Sequence, residues 1–475
     1  MSVWSRMLGS SAFNPEGQRL LGLSLESGRP IFAPKGHSLL LSANGGGKTT
    51  RGAMPWLFSL IASDPDKATL ALDSKDAEIA QQVVPMLARM GRKVAVIDDM
   101  WTCPELAEYR VDLNPNGLAV AAHRRDARDV VLAKETISKA LIEQPKDDAK
   151  NRYFYEFPQN IADFALGVML KRNPMEATPG AVSALINDRG LLLSFARIEA
   201  EEGDGSLQDL GQAILDMQVH EHWPQHLEAA QRSMRLFSKD SRLHEAGRGA
   251  TLTHEDMIRD GYVIFLCGPQ ATMNRLGPYY ALHILSFTTA LYQRAGALRV
   301  IADEFTNTPL KSLVESLTTL RAFGGEIHMI AQSRSEIIRR FGEQETRTIE
   351  DNAIVKQWFG FSSFEEAERV SKAIGEEHAV ASGLSGDTDG LKSQESLSLN
   401  RQRVLSTSEL MALPREIQLV HIKGVGFFMA RTIAQNEIAP YCHRIGDNPL
   451  EGSRLPPEPK IRLTTPKRSS GWRWI

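Results

Sequence analysis

The chain has 475 residues, enough for about two to four domains. Its 55 basic and 58 acidic side chains leave a net charge of −3, which excludes a polybasic, histone-like protein but leaves room for a local basic surface. Three widely spaced cysteines, Cys103, Cys267 and Cys442, argue against a disulfide scaffold or a cysteine-rich zinc site and fit a reducing compartment.

Residues 1–36 read as a loop-rich extension carrying Pro15, Pro30 and Pro34, without the apolar centre of a signal peptide. No apolar run approaches the roughly 18 residues that span a bilayer, so the expectation is a soluble cytoplasmic protein. A short apolar strand at 38–41 leads into Gly45-Gly46-Gly47-Lys48-Thr49, and Met54, Leu57, Leu60 and Ile61 then follow at helical spacing. Residues 68–72 form a second buried strand that ends in Asp73-Ser74-Lys75-Asp76 and opens a helix running through Met90; 93–97 is a third. Strands alternating with helices predict an α/β fold with a mainly parallel sheet. From 125 to 255 strand patterns give way to helical stretches at 126–142, 155–170, 182–200 and 207–237, which predicts an inserted all-helical domain. Strands return at 262–266, 298–302 and 326–331, joined by helices at 278–295 and 309–323, with later strands at 354–359 and 417–422. The Ser-, Gly- and Asp-rich stretch 379–403 reads as a mobile loop. The layout is an extension (1–36), a nucleotide-binding domain in two parts (37–124 and 256–450) around the insertion (125–255), and a basic tail (451–475) expected to be extended or disordered.

Ser42-Ala43-Asn44-Gly45-Gly46-Gly47-Lys48-Thr49 nearly fits the phosphate loop G-x-x-x-x-G-K-[ST], with Ser42 at the first glycine. Such glycines let backbone N–H groups wrap phosphate oxygens. The expected nucleotide cradle is Asn44, Gly45, Gly46, Gly47, Lys48, Thr49 and Thr50, with Lys48 on the β and γ phosphates of ATP and Thr49 on Mg²⁺. Its partner is the strand that ends in Asp303-Glu304: Asp303 to orient the Mg²⁺ shell and Glu304 to act as general base toward water. An adjacent carboxylate pair favours hydrolysis over simple nucleotide binding. Gln332, at the next strand tip, either contacts the γ-phosphate or the water, or merely caps the strand. Arg321 is either a finger reaching a neighbouring subunit's site or a solvated surface residue, with Arg339, Arg340 and Arg347 as competitors. Asp73, Lys75 and Asp76 sit on the rim of the site or form a surface turn with a helix N-cap at Ser74 or Asp73. The twelve histidines show no paired-ligand spacing, so no zinc site is expected. Basic residues with Trp472 and Trp474 in the tail either track a single nucleic-acid strand or are simply solvated.

Taken together, these segments resemble the TraG/TraD-like coupling ATPases of conjugation and type IV secretion. The resemblance runs from Gly36-His37 and the Ser42–Thr49 loop through Leu72-Asp73-Ser74-Lys75-Asp76 and Leu113-Asn114-Pro115. It continues through Ala302-Asp303-Glu304-Phe305, Ile330-Ala331-Gln332-Ser333, Asp351-Asn352 and Leu405-Ser406-Thr407-Ser408-Glu409-Leu410, and covers roughly residues 36–435. It implies a RecA-like P-loop NTPase with a helical insertion, assembled as a hexamer with ATP sites between subunits. It also implies an ATP-hydrolysing protein that receives DNA, single-stranded by preference, a relaxase–DNA complex or protein effectors and passes them to a secretion channel. Gln332 and Arg321 take their catalytic roles from the matching positions. Members of the family usually carry N-terminal membrane helices. The absence of such a segment here implies a separate membrane partner, a soluble offshoot or a natural short form, with a place in the cytoplasm or peripherally at the inner membrane. Two other readings use the same ATP site: a recruitment adaptor with little or no turnover, and a RecA-like DNA translocase outside secretion.

Overall fold

The computed structural model describes residues 12–43, 45–126, 128–142, 152–306, 311–385 and 394–465, with the backbone alone at 311–312 and 377–401. Four strands come first: β1 (Ala12–Phe13), β2 (Arg19–Ser24), β3 (Pro30–Ala33) and β4 (Ser38–Ser42). A wide π-helical turn at Lys48–Ala53 opens α1 (Met54–Ser63), followed by β5 (Ala68–Asp73), α2 (Glu78–Arg89) and β6 (Val94–Ile97).

A helical run then extends through α3 (Gly117–Arg125), α4 (Asp129–Leu141), α5 (Arg152–Arg172), α6 (Pro179–Asn187), α7 (Arg189–Glu202), α8 (Gly205–Met217), α9 (Trp223–Ser233) and α10 (His254–Arg259). The stretch expected as one helix over 182–200 is broken. The Asp188 side chain accepts the Leu191 N–H and so caps a new helix start.

Alternation resumes with β7 (Val263–Cys267), α11 (Gly277–Tyr292), β8 (Leu298–Ala302), α12 (Lys311–Leu320) and β9 (Gly325–Ala331). Next come α13 (Arg334–Phe341), α14 (Glu343–Asn352), β10 (Val355–Phe359) and α15 (Phe364–Ile374). The chain closes with β11 (Glu376–Ser385), β12 (Gln394–Arg403), α16 (Thr407–Met411), β13 (Ile417–Ile422), β14 (Gly426–Arg431), β15 (Ile438–Ala439) and β16 (Ile461–Leu463).

The main sheet has the order β3-β2-β14-β13-β10-β4-β9-β8-β5-β7-β6. From β10 to β6 every pairing is parallel, and from β10 outward to β3 every pairing is antiparallel. Strands β4, β5, β7 and β8 are buried along their whole length, as their near-continuous apolar runs require when helices cover both faces. All ten residues of α1 are buried, so it is a core helix rather than an amphipathic surface one.

Arg299 of β8 fixes the far end of α1. It is buried, and its guanidinium donates to Leu60 O (2.6 Å), Asp64 O (3.1 Å) and Lys67 O (2.8 Å), and to Ser63 Oγ (3.2 Å) and Thr69 Oγ1 (3.0 Å). The carbonyls at a helix end lack intrahelical donors, and here a neighbouring strand supplies them. Burial lowers the Arg299 pKa to about 10, so it stays charged at neutral pH.

Three expectations are corrected. Residues 12–36 are not loop throughout: β2 and β3 form a hairpin on the sheet edge. Gly22 interrupts their apolar pattern because β14 passes too close for a side chain; a Cβ there would lie 2.3 Å from Arg431 O. Within the stretch expected as a loop, 379–385 and 394–403 lie in the paired strands β11 and β12, while 386–393 lie outside the described residues. The tail is extended in part, as expected, but not free: β16 lies between β1 and β15 in a small parallel sheet. Residues 466–475, with the rest of the basic tail, lie outside the described residues. Among the described residues no helix is long and apolar enough to cross a membrane.

Candidate active site

Four adjacent strands, β4, β9, β8 and β5, end side by side at the C-terminal edge of the parallel sheet. In register, Leu41 pairs with Ala331, Ala302 with Met329 and Leu72 with Ala302. The residues just beyond these tips therefore converge: the Lys48 loop from β4, Gln332 from β9, Asp303-Glu304 from β8 and Asp73–Lys75 from β5. The crevice at the carboxyl ends of parallel strands is where open α/β sheets bind ligands.

The loop after β4 turns through Gly45 (φ +75°) and Gly47 (φ +87°), backbone conformations that only glycine adopts without strain. A Cβ on Gly46 would lie 2.3 Å from Ser42 Oγ, 3.0 Å from Ala43 O and 3.1 Å from Phe359 O. Ser42, fully buried, thus fills the space beneath the loop that a first glycine would leave open. Lys48 and Thr49 are buried and Thr50 is half-buried, all three in the wide turn, where the Met54 N–H reaches back five residues to Thr49 O. Such turns recur at functional sites. Asn44 lies outside the described residues.

Glu304 is the hub of the site. Its Oε1 lies 2.8 Å from Lys48 Nζ and 2.8 Å from Lys75 Nζ, and its Oε2 is 3.5 Å from Gln332 Nε2. It is 2% exposed and has φ +51°, a strained position for a residue with a side chain. Asp303, equally buried, accepts from Thr49 Oγ1 (3.1 Å) and from the Glu304 N–H (3.0 Å).

The charges set one another. Burial alone would raise the Glu304 pKa, but Lys75 and Lys48 together outweigh it and hold the carboxylate below its ordinary value. Burial, with repulsion from Glu304, raises Asp303 despite the two lysines. Burial would lower Lys75, yet Asp303 and Glu304 carry it above its ordinary value. Asp73 is pushed up to about 8 by burial, with Asp303 and Glu78 adding to the rise.

The residues present fit a phosphate chain with a divalent ion. The buried Lys48 ammonium has no hydrogen-bond partner of good geometry beside its ion pair with Glu304, so a donor remains to be satisfied. Among the described residues no group of three or more His, Cys, Asp or Glu side chains converges as a metal site. A divalent ion at Thr49 and Asp303 would draw its remaining ligands from phosphate oxygens and water, as Mg²⁺ does at nucleotide sites.

Lys75 belongs inside this constellation, although the sequence places it only on the rim. The N-cap of α2 is Ala77, not Ser74 or Asp73; the Asp73 carboxylate nevertheless accepts the Ala80 N–H (2.7 Å) and supplies the cap from a distance. Arg321 is not part of the chain's own site. It is exposed, in a short 3₁₀ turn before β9, close to Gly36 at the opposite edge of the sheet, and β9 alone spans about 20 Å between the two edges.

Residues 297–415 match the family model described as the TraM recognition site of TraD and TraG. That segment carries β8, Asp303, Glu304, Arg321 and Gln332. The chain is similar to the TraG/TraD coupling proteins. Solved structures agree on the fold. The bacterial conjugative coupling protein TrwBdeltaN70, unbound, matches with a TM-score of 0.61 at 14% identity over 90% of each chain. TrwB in complex with the GTP analogue GDPNP matches with a TM-score of 0.59 at 14% identity, over 90% of this chain and 91% of that one. VirB4 of Thermoanaerobacter pseudethanolicus matches with a TM-score of 0.52 at 12% identity, over 91% of this chain and 99% of that one. No curated protein sequence matches the chain. The α/β architecture, with its mainly parallel sheet, is thus the fold of these coupling-protein structures.

Proposed function

We propose that the chain is an ATP-hydrolysing coupling protein of a conjugation or type IV secretion system. The observation that carries this reading is the convergence of Lys48, Thr49, Asp303, Glu304 and Gln332 on one crevice. TrwB, with the same fold, has been solved with an ATP analogue and with ADP and Mg²⁺, which supports the same ligand class here. In this reading the loop from Asn44 to Thr50 holds the phosphates, Lys48 neutralises them, and Thr49 with Asp303 holds Mg²⁺. Mg²⁺, when bound, neutralises charge on the phosphate oxygens. Glu304, held ionised by its lysines, is the acceptor for a proton from water. Gln332, at the edge of hydrogen-bond reach of Glu304, orients that water or reads its loss.

Arg321 faces away from its own site, so any catalytic role is in a neighbour's. This arrangement suits a ring, and we propose a hexamer with sites between subunits. The helical run, 125–255, is the proposed substrate-facing domain. The partners are DNA or a relaxase–DNA complex, a protein of the TraM kind at 297–415, and a channel or membrane partner at the cytoplasmic face of the inner membrane.

The test is steady-state ATPase activity against protein concentration, with and without single- and double-stranded DNA. A cooperative rise with concentration and with DNA is expected. A flat, near-zero rate with intact ATP binding refutes the motor and leaves the recruitment adaptor.

A further inference from the structure

We propose that Lys75 is the positioning residue that holds Glu304 once Lys48 is engaged by phosphate. The inference rests on the ATPase reading above and extends it to a residue outside the loop and strand motifs. Two ammonium groups share one carboxylate oxygen, each at 2.8 Å. In the proposed reaction the phosphates compete for Lys48 and draw it away from this oxygen. Lys75 can stay, because it hangs from the tip of β5 and not from the phosphate loop.

The backbone around Lys75 is fixed to an unusual degree. Asp76 and Ala77 both have positive φ, +51° and +58°, without being glycine. Such conformations persist only where surrounding structure over-determines them, and they cluster at functional sites. Here the Ala80 N–H donates to Asp73 Oδ2 (2.7 Å), the Gln270 N–H to Asp76 Oδ1 (3.2 Å), Gln81 Nε2 to Asp76 O (2.9 Å) and the Glu78 N–H to Lys75 O (2.9 Å). Glu304, at the other end of the ion pair, is also held at positive φ. A strained turn on one strand thus presents a cation to a strained carboxylate on the next. Without Lys75 and with Lys48 on phosphate, the Glu304 carboxylate would keep, among the described residues, the long contact to Gln332 at 3.5 Å. A carboxylate so loosely tethered is a poor base, since proton acceptance needs a fixed geometry.

The experiment uses the full chain and compares Lys75→Met and Lys75→Arg with wild type. It measures the Kd for a fluorescent ATP analogue, and KM and kcat for ATP. Lys75→Met is expected to lower kcat by about tenfold or more while Kd and KM stay within about threefold, and Lys75→Arg to recover most of kcat. An unchanged kcat in Lys75→Met overturns the proposal. So does a loss confined to Kd and KM, which would make Lys75 a phosphate ligand. A second measurement does not depend on the stability of the single variant. In a Glu304→Gln background, Lys75→Met should reduce the residual single-turnover rate no further, and an additional tenfold loss overturns the assignment. The wild type run alongside reports separately on the parent reading. A wild-type chain that neither binds nor hydrolyses ATP overturns both.

Discussion

Removing the Glu304 charge should tighten ATP binding while stopping turnover. Lys48 Nζ is 2.8 Å from Glu304 Oε1, and both groups are almost fully buried. At an effective dielectric of about 20 the Coulomb attraction at that separation is about 6 kcal/mol. Desolvation of the two ions offsets much of it, and a charge-assisted bond of this kind contributes about 1.5–3 kcal/mol net. A nucleotide that draws Lys48 toward its phosphates works against that bond. In Glu304→Gln the work is largely absent, so the Kd for Mg-ATP should fall by about 10- to 150-fold. Asp303 remains as counter-charge to the two lysines, so folding should survive, and a thermal melt checks this. The assay is a fluorescence titration of nucleotide beside a phosphate-release measurement on the same preparation. A folded Glu304→Gln chain that binds ATP no more tightly than wild type, or that turns it over normally, refutes the reasoning.

Two further outcomes are expected. Arg321→Ala should abolish turnover alone but regain it when mixed with Lys48→Ala subunits, at about one quarter of the interfaces for equal mixing in a ring. No recovery at any ratio would rule out action across an interface. Acid should destabilise the fold through buried neutral histidines: burial lowers the His37 pKa to about 4 and the His283 pKa to about 3, against 6.5 unperturbed. Because the folded pKa lies below the unfolded one, the stability is fully present above pH 6.5 and is lost as pH falls toward those values. At pH 5 the loss is about 2 kcal/mol for each of the two. Denaturant midpoints at pH 7 and pH 5 check it, and His283→Leu should flatten part of the difference; an unchanged slope would rule out that residue as a contributor.

The phosphate loop and the Asp303-Glu304 pair are legible in the sequence because each is a contiguous string bounded by an apolar strand. Lys75 is not, because its value depends on β5 lying directly beside β8, and sequence spacing says nothing about strand order. The place of Arg321 follows from a rule that the motif search leaves unused. A residue just before a parallel strand lies at the edge opposite the one where its successors form the site. The edge hairpin of β2 and β3 hides behind Gly22 and Pro30; Gly22 answers to the neighbouring β14 backbone rather than to a turn. The paired strands β11 and β12 escape notice because their Ser-, Gly- and charge-rich sequence carries few apolar residues and only a short alternation at 396–399.

The Arg299 clamp has a mechanical consequence. It anchors the far end of α1 to β8, the strand that carries Asp303 and Glu304, and through Thr69 and Lys67 to the start of β5. A helix pinned at its tail cannot recoil along its axis when its head takes up or releases charge. The head lies outside the clamp, in the wide, under-wound turn at 48–53. If the loop takes up phosphate as proposed, the strands that adjoin its seat are β4 and, paired with it on either side, β9 and β10, while the tail of the helix stays anchored.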